Sequence, residues 1–384
     1  MIYLDGFATM PLAPAARDAM LEAWSVPGNA GSPHGAGEIA ASVVADARAA
    51  VAQLINAAPA EIIFTSGATE ANNLALFGVA GGAGATRRRI VISAVEHKAV
   101  WEPAEQLIAK GFQLSIAPVD HHGRLDLDAF AELMGDDVLL ASVMAANNET
   151  GVLQPVAEAT AIAHDHGSLV HCDGAQAVGK IPIDVLALDV DYLSISAHKL
   201  YGPFGTGALY VAAGTPPLTP QVYGGGQQNG RRPGTEAAPL LAGFGAAARE
   251  AVARLAGSNA RADHGVILLK ELLARQVRVT QITGTHPVLP GSVCLQLHGV
   301  DADSLCLTVG KELCISTGSA CNSGQLRSSH VLENMGLSHR EGAEVVRIFC
   351  PHTTADEDIF RAADIIAAAT IHDTSALDDL ASSG

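Results

Sequence analysis

Short runs of almost wholly apolar residues recur along the first two thirds of the chain, and each is followed by a stretch with helical spacing. Glu61–Gly67 reads as a strand ending in a turn. Arg89–Ser93, Val138–Met144, Ser168–Cys172 and Tyr192–Ser196 repeat the pattern, and Thr206–Val211 is a sixth strand. Between them, Lys98–Lys110, Leu127–Met134 and Val156–His166 carry apolar residues at helical intervals. A strand that is apolar throughout is covered on both faces, so the alternation predicts a mainly parallel sheet between two layers of helix. Ala237 to about Leu273 reads as long helices leading to a second unit. From Ser292 the elements shorten: strands at Ser292–Leu297, Leu313–Ser316 and Val345–Phe349 and a helix at Val331–Met335 predict a smaller α+β domain. Asp373–Gly384 is polar and is expected to fray.

A chain of 384 residues, 48% of them apolar, has room for two or three domains and excludes global disorder. Its formal charge is 23 − 40 = −17, which argues against non-specific binding to nucleic acid or to an anionic membrane. The N-terminus lacks a basic segment followed by an apolar one, and no apolar run reaches the ~18 residues of a membrane span. Six cysteines with no Cys-x-x-Cys pair predict reduced thiols in the cytoplasm and no metal site.

Ligands of α/β sheets bind beyond the carboxyl ends of the strands. After the first strand comes Ser66-Gly67-Ala68-Thr69-Glu70, opening a helix through Asn72; small residues, a hydroxyl and a helix N-terminus suit an anion, although Thr69 as an ordinary cap reads as well. The second strand is followed by Glu96-His97-Lys98, where a structural His is the blander reading, and the third by Asn147-Asn148-Glu149-Thr150-Gly151, which a plain turn also explains. The fourth ends His171-Cys172-Asp173-Gly174-Ala175-Gln176, with a carboxylate that burial obliges to find a cationic partner. The fifth ends Ser196-Ala197-His198-Lys199, and a lysine there, one of only six in the chain, is poorly explained by packing. Anion cradle, His, Asp and Lys together match the needs of pyridoxal 5′-phosphate: amides for its phosphate, a carboxylate for its ring nitrogen, an amine for its aldehyde.

These segments, in this order, resemble the class V aminotransferase-like pyridoxal-phosphate enzymes, and within them the cysteine desulfurases of the NifS/IscS type. The resemblance runs over nearly the whole chain, from Tyr3–Thr9 through Gly224–Gly226, Arg231–Glu236 and Ser316–Cys321 to Arg347. It implies fold type I, with a large domain (16–255) holding a mainly parallel seven-stranded sheet. A small domain (1–15 and 256–384) would carry a nucleophile loop at about 316–330. It implies that Lys199 bonds the cofactor and later takes the substrate α-proton, that Asp173 pairs with the ring nitrogen, and that His97 stacks on the ring and moves protons. Gln176 would lie near the ring hydroxyl, and Asn148 near the ring and the substrate carboxylate. Ala68, Thr69, Ser196 and His198 would hold the phosphate, with Thr235 reaching it across a homodimer interface. Arg347, helped by Asn29, would clamp the carboxylate of L-cysteine.

Cys321, in the small-residue stretch Gly318–Gly324, matches the family nucleophile that accepts sulfur as a persulfide while L-alanine leaves. The long loop after it resembles the NifS/IscS group rather than the shorter-loop SufS group. The sulfur would pass to an acceptor such as an iron–sulfur scaffold protein or a sulfur carrier. Gly6-Phe7, Met10, Asn29–Ser32 and Ile348–His352 depart from the family pattern around the substrate pocket and entrance. Rival readings are selenocysteine lysis or another class V reaction, which does not need Cys321. A cofactor-bound binding module, and an α/β domain whose Lys199 merely lies at the surface, are the others.

Overall fold

The computed structural model describes residues 1–82, 87–257, 263–318 and 329–381. The chain opens on a two-residue strand, β1 (Ile2–Tyr3), then helices Pro14–Trp24 and Gly35–Leu54. Seven strands follow: β2 (Ile62–Thr65), β3 (Arg89–Ser93), β4 (Gln113–Ala117), β5 (Val138–Ser142), β6 (Leu169–Asp173), β7 (Tyr192–Ser196) and β8 (Gly207–Val211). Among the described residues they form one seven-stranded sheet in the order β2-β8-β7-β6-β5-β3-β4. β7, β6, β5, β3 and β4 are parallel, and β8 runs antiparallel to both β2 and β7. The edge strand β4 is the one that apolar runs did not reveal. Gln113-Leu-Ser-Ile-Ala117 alternates polar with apolar residues and is only partly buried, as an edge strand covered on one side is.

The two faces of the sheet separate residue by residue, because neighbouring strand side chains point oppositely. Ile62, Phe64, Val91, Val170, Cys172, Leu193 and Ile195 join the core under the helices Gly35–Leu54 and Ala238–Leu255. Ile63, Ile90, Ile92 and Tyr192 face the core under the helices Ala68–Gly82 and Lys98–Ile108. Cys172 is therefore a packed thiol, pushed well above its usual pKa by burial, and the neighbouring Asp173 is turned away from that core.

A second sheet, in the order β12-β13-β10-β9, comprises β9 (Val279–Gln281), β10 (Ser292–Leu297), β12 (Ser316–Thr317) and β13 (Val345–Phe349). Between β10 and β12 lies β11 (Leu313–Cys314), which pairs in parallel with β1 instead. The expected strand Leu313–Ser316 is thus two strands that turn at Ile315 into different sheets. The strands pack on the helices His264–Ala274, Ala302–Val309 and Asp356–Ala381, with Ile2 and Leu4 in the same core. The last of these helices runs to Ala381, through most of the polar segment that starts at Asp373.

Candidate active site

The carboxyl ends of the parallel strands open into a cavity of about 500 Å³. β2 delivers Ser66 and Gly67, and the helix Ala68–Gly82 then starts with its amides toward the cavity, lined there by Ala68 and Thr69. Free helix N-terminal amides attract an anion. Gly207, at the start of β8, makes this approach feasible: a Cβ there would stand 2.4 Å from the Ile195 carbonyl and 2.7 Å from Gly67 Cα.

Asp173 ends β6 at 4% exposure and lines the cavity. Its carboxylate accepts from Asn72 Nδ2 at 2.8 Å and from the Ala175 N–H at 2.9 Å. Behind it, Ser142, His171 and Ser194 form a buried hydrogen-bonded row across β5, β6 and β7, with contacts of 2.8 and 3.0 Å. Burial pushes His171 down to about 4, so the row is neutral. His97 caps the helix Lys98–Ile108, its Nδ1 accepting from the Ala99 N–H at 3.0 Å. Burial lowers its pKa, Asp173 opposing and Lys199 adding to the effect. Next to it, Glu96 is fully buried and pushed up to about 8, chiefly by burial; its Oε1 accepts from Ser93 Oγ and the Met144 N–H.

Lys199 follows β7 on a short 3-10 turn, Ala197–Lys199, and its Nζ donates to the Phe7 and Ala8 carbonyls, the latter at 2.7 Å. Ser196 and His198 line the same wall. His198 stacks on Phe204 and pairs with Thr9 Oγ1; burial, with Lys199 and Lys180 nearby, pushes it down to about 4. Gln176 closes the floor, donating to the Phe7 carbonyl at 3.0 Å.

Arg347 comes from β13 of the second sheet and is 4% exposed. It donates to Ser316 Oγ at 2.8 Å and to the Asn148 carbonyl at 3.2 Å, and lies 3.9 Å from Asp5 Oδ1. Glu149, next to Asn148, is buried and pushed up to about 7, and its Oε2 accepts from Ser329 Oγ at 2.5 Å. A Cβ on Gly318 would lie 2.0 Å from that same oxygen. Gly318 and Ser329 flank 319–328, so one carboxylate touches both residues bordering that segment.

Of the residues expected from the sequence, Ala68, Thr69, His97, Asn148, Asp173, Gln176, Ser196, His198, Lys199 and Arg347 line the one cavity. Cys321 lies outside the described residues. Asn29 does not line the cavity: it is exposed, and its Oδ1 accepts from the Gly31 N–H of its own loop. Thr235 is exposed and also lies off the cavity wall. Sequence reasoning passed over Asn72, Lys180 and the Phe7 and Ala8 carbonyls. Asn72 carried a signal, standing one helical turn beyond Ala68 and Thr69 on the same face; backbone carbonyls carry none.

A family model described as aminotransferase class-V matches residues 2–359. The cysteine desulfurase IscS of Rickettsia felis is 37% identical over 371 residues, covering 95% of this chain and 90% of the relative. The mitochondrial cysteine desulfurase of Saccharomyces cerevisiae is 39% identical over 364 residues, covering 93% of this chain and 72% of the relative. A solved structure described as a NifS-like protein superposes with a TM-score of 0.87 at 33% identity, covering 96% of this chain and 98% of that one.

Proposed function

The chain belongs to the class-V aminotransferase family, and from that premise we propose that it is a cysteine desulfurase that passes the sulfur of L-cysteine to Cys321. It is a pyridoxal 5′-phosphate enzyme of fold type I. The residues of the cavity fit that cofactor. Asn72 Oδ1 and Asn148 Oδ1 are buried without a partner among the described residues, on two residues that line the cavity beside a buried carboxylate, a lysine and a helix N-terminus. Asp173 would hold the ring nitrogen and Gln176 the ring hydroxyl. His97 would lie against the ring, and Ala68, Thr69, Ser196 and His198 would hold the phosphate.

The cofactor, when bound, supplies an electron sink for the pair released as the substrate Cα–H bond breaks. Lys199 is the base that takes the α-proton at Nζ. Arg347 receives the substrate carboxylate, its guanidinium oriented by Ser316 and the Asn148 carbonyl. His97 carries its ring proton on Nε2, because Nδ1 is committed as an acceptor, and its lowered pKa keeps the ring neutral and able to pass a proton. The thiolate of Cys321 attacks the substrate sulfur. The substrate Cβ–S bond breaks, an S–S bond forms on Cys321, and the carbon skeleton takes up protons and leaves as L-alanine. Sulfur is oxidised to the persulfide level as carbon is reduced, so no outside redox partner enters. The persulfide sulfur then goes to an acceptor protein, an iron–sulfur scaffold or a sulfur carrier.

The large unit is taken as 16–255 and the small one as 1–15 with 256–384, so that Arg347 faces Lys199 across the boundary. The working form is a homodimer in the cytoplasm, with Thr235 completing the neighbour's phosphate site. Phe204, Val222 and Tyr223, 66%, 52% and 79% exposed, are large apolar side chains that such an interface could cover. No described helix is long and apolar enough to cross a membrane.

The observation that carries the reading is the convergence of Lys199, Asp173, His97 and Arg347 on one cavity. The test is alanine release from L-cysteine with a reductant present, for wild type and Cys321→Ala, with cofactor spectra of both. Turnover in wild type, and its loss in a variant with an unchanged spectrum, is the expected result. Equal alanine release by both would end the role of Cys321 and favour a lyase reaction.

A further inference from the structure

Lys180 is a buried lysine that the reaction as described does not use. It is 8% exposed, on the turn that follows Gln176. Its Nζ donates to Gln176 Oε1 at 2.7 Å and lies 4.6 Å from the centre of the Phe349 ring and 5.9 Å from that of Phe7. Among the described residues no carboxylate pairs with it. Removing an amine from water without an anionic partner is costly, and burial, with Lys199 adding to it, lowers its pKa well below the usual lysine range. An apolar side chain would fill the same place between two phenyl rings at less cost. What the amine adds is one directed hydrogen bond.

That bond determines how the Gln176 amide stands. A glutamine amide has two ends, an acceptor oxygen and a donor nitrogen, and can be turned over at little cost unless its partners forbid it. Here the Phe7 carbonyl can only accept, so it claims Nε2 and leaves Oε1 on the other side, where Lys180 Nζ donates to it. Nε2 donates to the Phe7 carbonyl, which also accepts from Lys199 Nζ. The chain Lys180–Gln176–Phe7–Lys199 is thus a single polarised network under the cavity floor.

We propose that Lys180 is a positioning residue that locks the Gln176 amide with its N–H₂ group toward the cofactor side of the cavity. The inference rests on the reading of Gln176 as the residue beside the cofactor's ring hydroxyl. With the amide locked, an acceptor oxygen on the cofactor always meets a donor; with it free, the carbonyl end can face that oxygen and repel it. The Phe349 and Phe7 rings stand beside the amine, within the reach at which a ring face attracts an ammonium group.

The test compares Lys180→Met, which keeps the length and removes the donor, with Lys180→Gln, which keeps a donor, each alone and combined with Gln176→Ala. The readouts are retention of pyridoxal 5′-phosphate after dilution of the holoenzyme, followed by its visible absorbance, and the position of that absorbance band. Lys180→Met is expected to weaken retention about 3- to 10-fold, the range of one lost directed hydrogen bond, and to shift the band. Lys180→Gln is expected to restore both. In the Gln176→Ala background, Lys180→Met is expected to change neither. An equal effect in both backgrounds would reduce Lys180 to a packing role, and unchanged retention in Lys180→Met alone would overturn the proposal outright. A wild-type protein that binds no pyridoxal 5′-phosphate, or makes no alanine from L-cysteine, would instead count against the cofactor and desulfurase reading.

Discussion

At the scale of single residues, burial sets the charge state of this site more than ion pairing does. Glu96 and Glu149 are held toward the neutral acid, and His97, His171 and His198 toward the neutral imidazole. Uncharged hydrogen-bonding groups thus stand among and behind the Asp, Glu, Lys and Arg residues that line the cavity, Asp5, Glu70, Asp173, Lys199 and Arg347. The same shifts make stability depend on pH. Between 4.5 and about 8 the folded Glu96 keeps a proton that the unfolded chain releases, so stability falls as pH rises through that window. Glu149 acts in the same sense up to about 7. His171 acts oppositely between about 4 and 6.5, where the unfolded chain binds the extra proton. Thermal unfolding of wild type should thus show a falling midpoint from pH 6.5 to 8, and Glu96→Gln should flatten the fall. An identical slope in the variant would remove Glu96 as its cause.

At the scale of elements, the site is a set of strand ends held in register. The loop between β2 and its helix fits only because β8 starts with a residue lacking a side chain. Gly207→Ala places a methyl group inside contact distance of two backbone segments that have no freedom to retreat. It is expected to lower stability by about 1–3 kcal/mol in urea unfolding and to loosen the anion cradle, read as weaker pyridoxal-phosphate retention. Wild-type values in both would show that the β2 loop is more yielding than the packing implies. Gly318 is tight for a different reason, resting on the Glu149 carboxylate rather than on backbone.

At the scale of the whole molecule, two cores meet at the site. Lys199 and Asp173 stand on the seven-stranded sheet, while Arg347 arrives from β13 of the second sheet, tied to the first by the Asn148 carbonyl. Residues next to β1 join them, since Asp5 accepts from Ser316 and the Phe7 and Ala8 carbonyls accept from Lys199. If a second copy completes each site through Thr235, then Thr235→Ala should shed pyridoxal 5′-phosphate faster than wild type. Mixing it with Lys199→Ala after dissociation and reassociation should restore tight binding and turnover in one site of each hybrid dimer. No restoration, or a monomeric mass in sedimentation, would remove Thr235 from the neighbouring site.

The sequence alone determined the sheet strands with continuous apolar runs, because a strand buried on both faces admits nothing else. It also determined which residues end those strands, and so the Asp173, Lys199 and His97 set: chemistry-bearing side chains at the ends of apolar runs are local facts, readable in order along the chain. The half-exposed strand β4 and the break at Ile315 escaped, since an edge strand alternates and a two-residue strand has no period to read. Resemblance puts Asn29 with Arg347 at the substrate carboxylate; within the chain its side chain accepts from the Gly31 N–H of its own exposed loop. Only the tertiary structure decided that Lys180, Gln176, Phe7 and Lys199 form one network. Its members are separated by up to 192 residues, and the group that joins Gln176 to Lys199 is a backbone carbonyl, which every residue has and no sequence pattern marks.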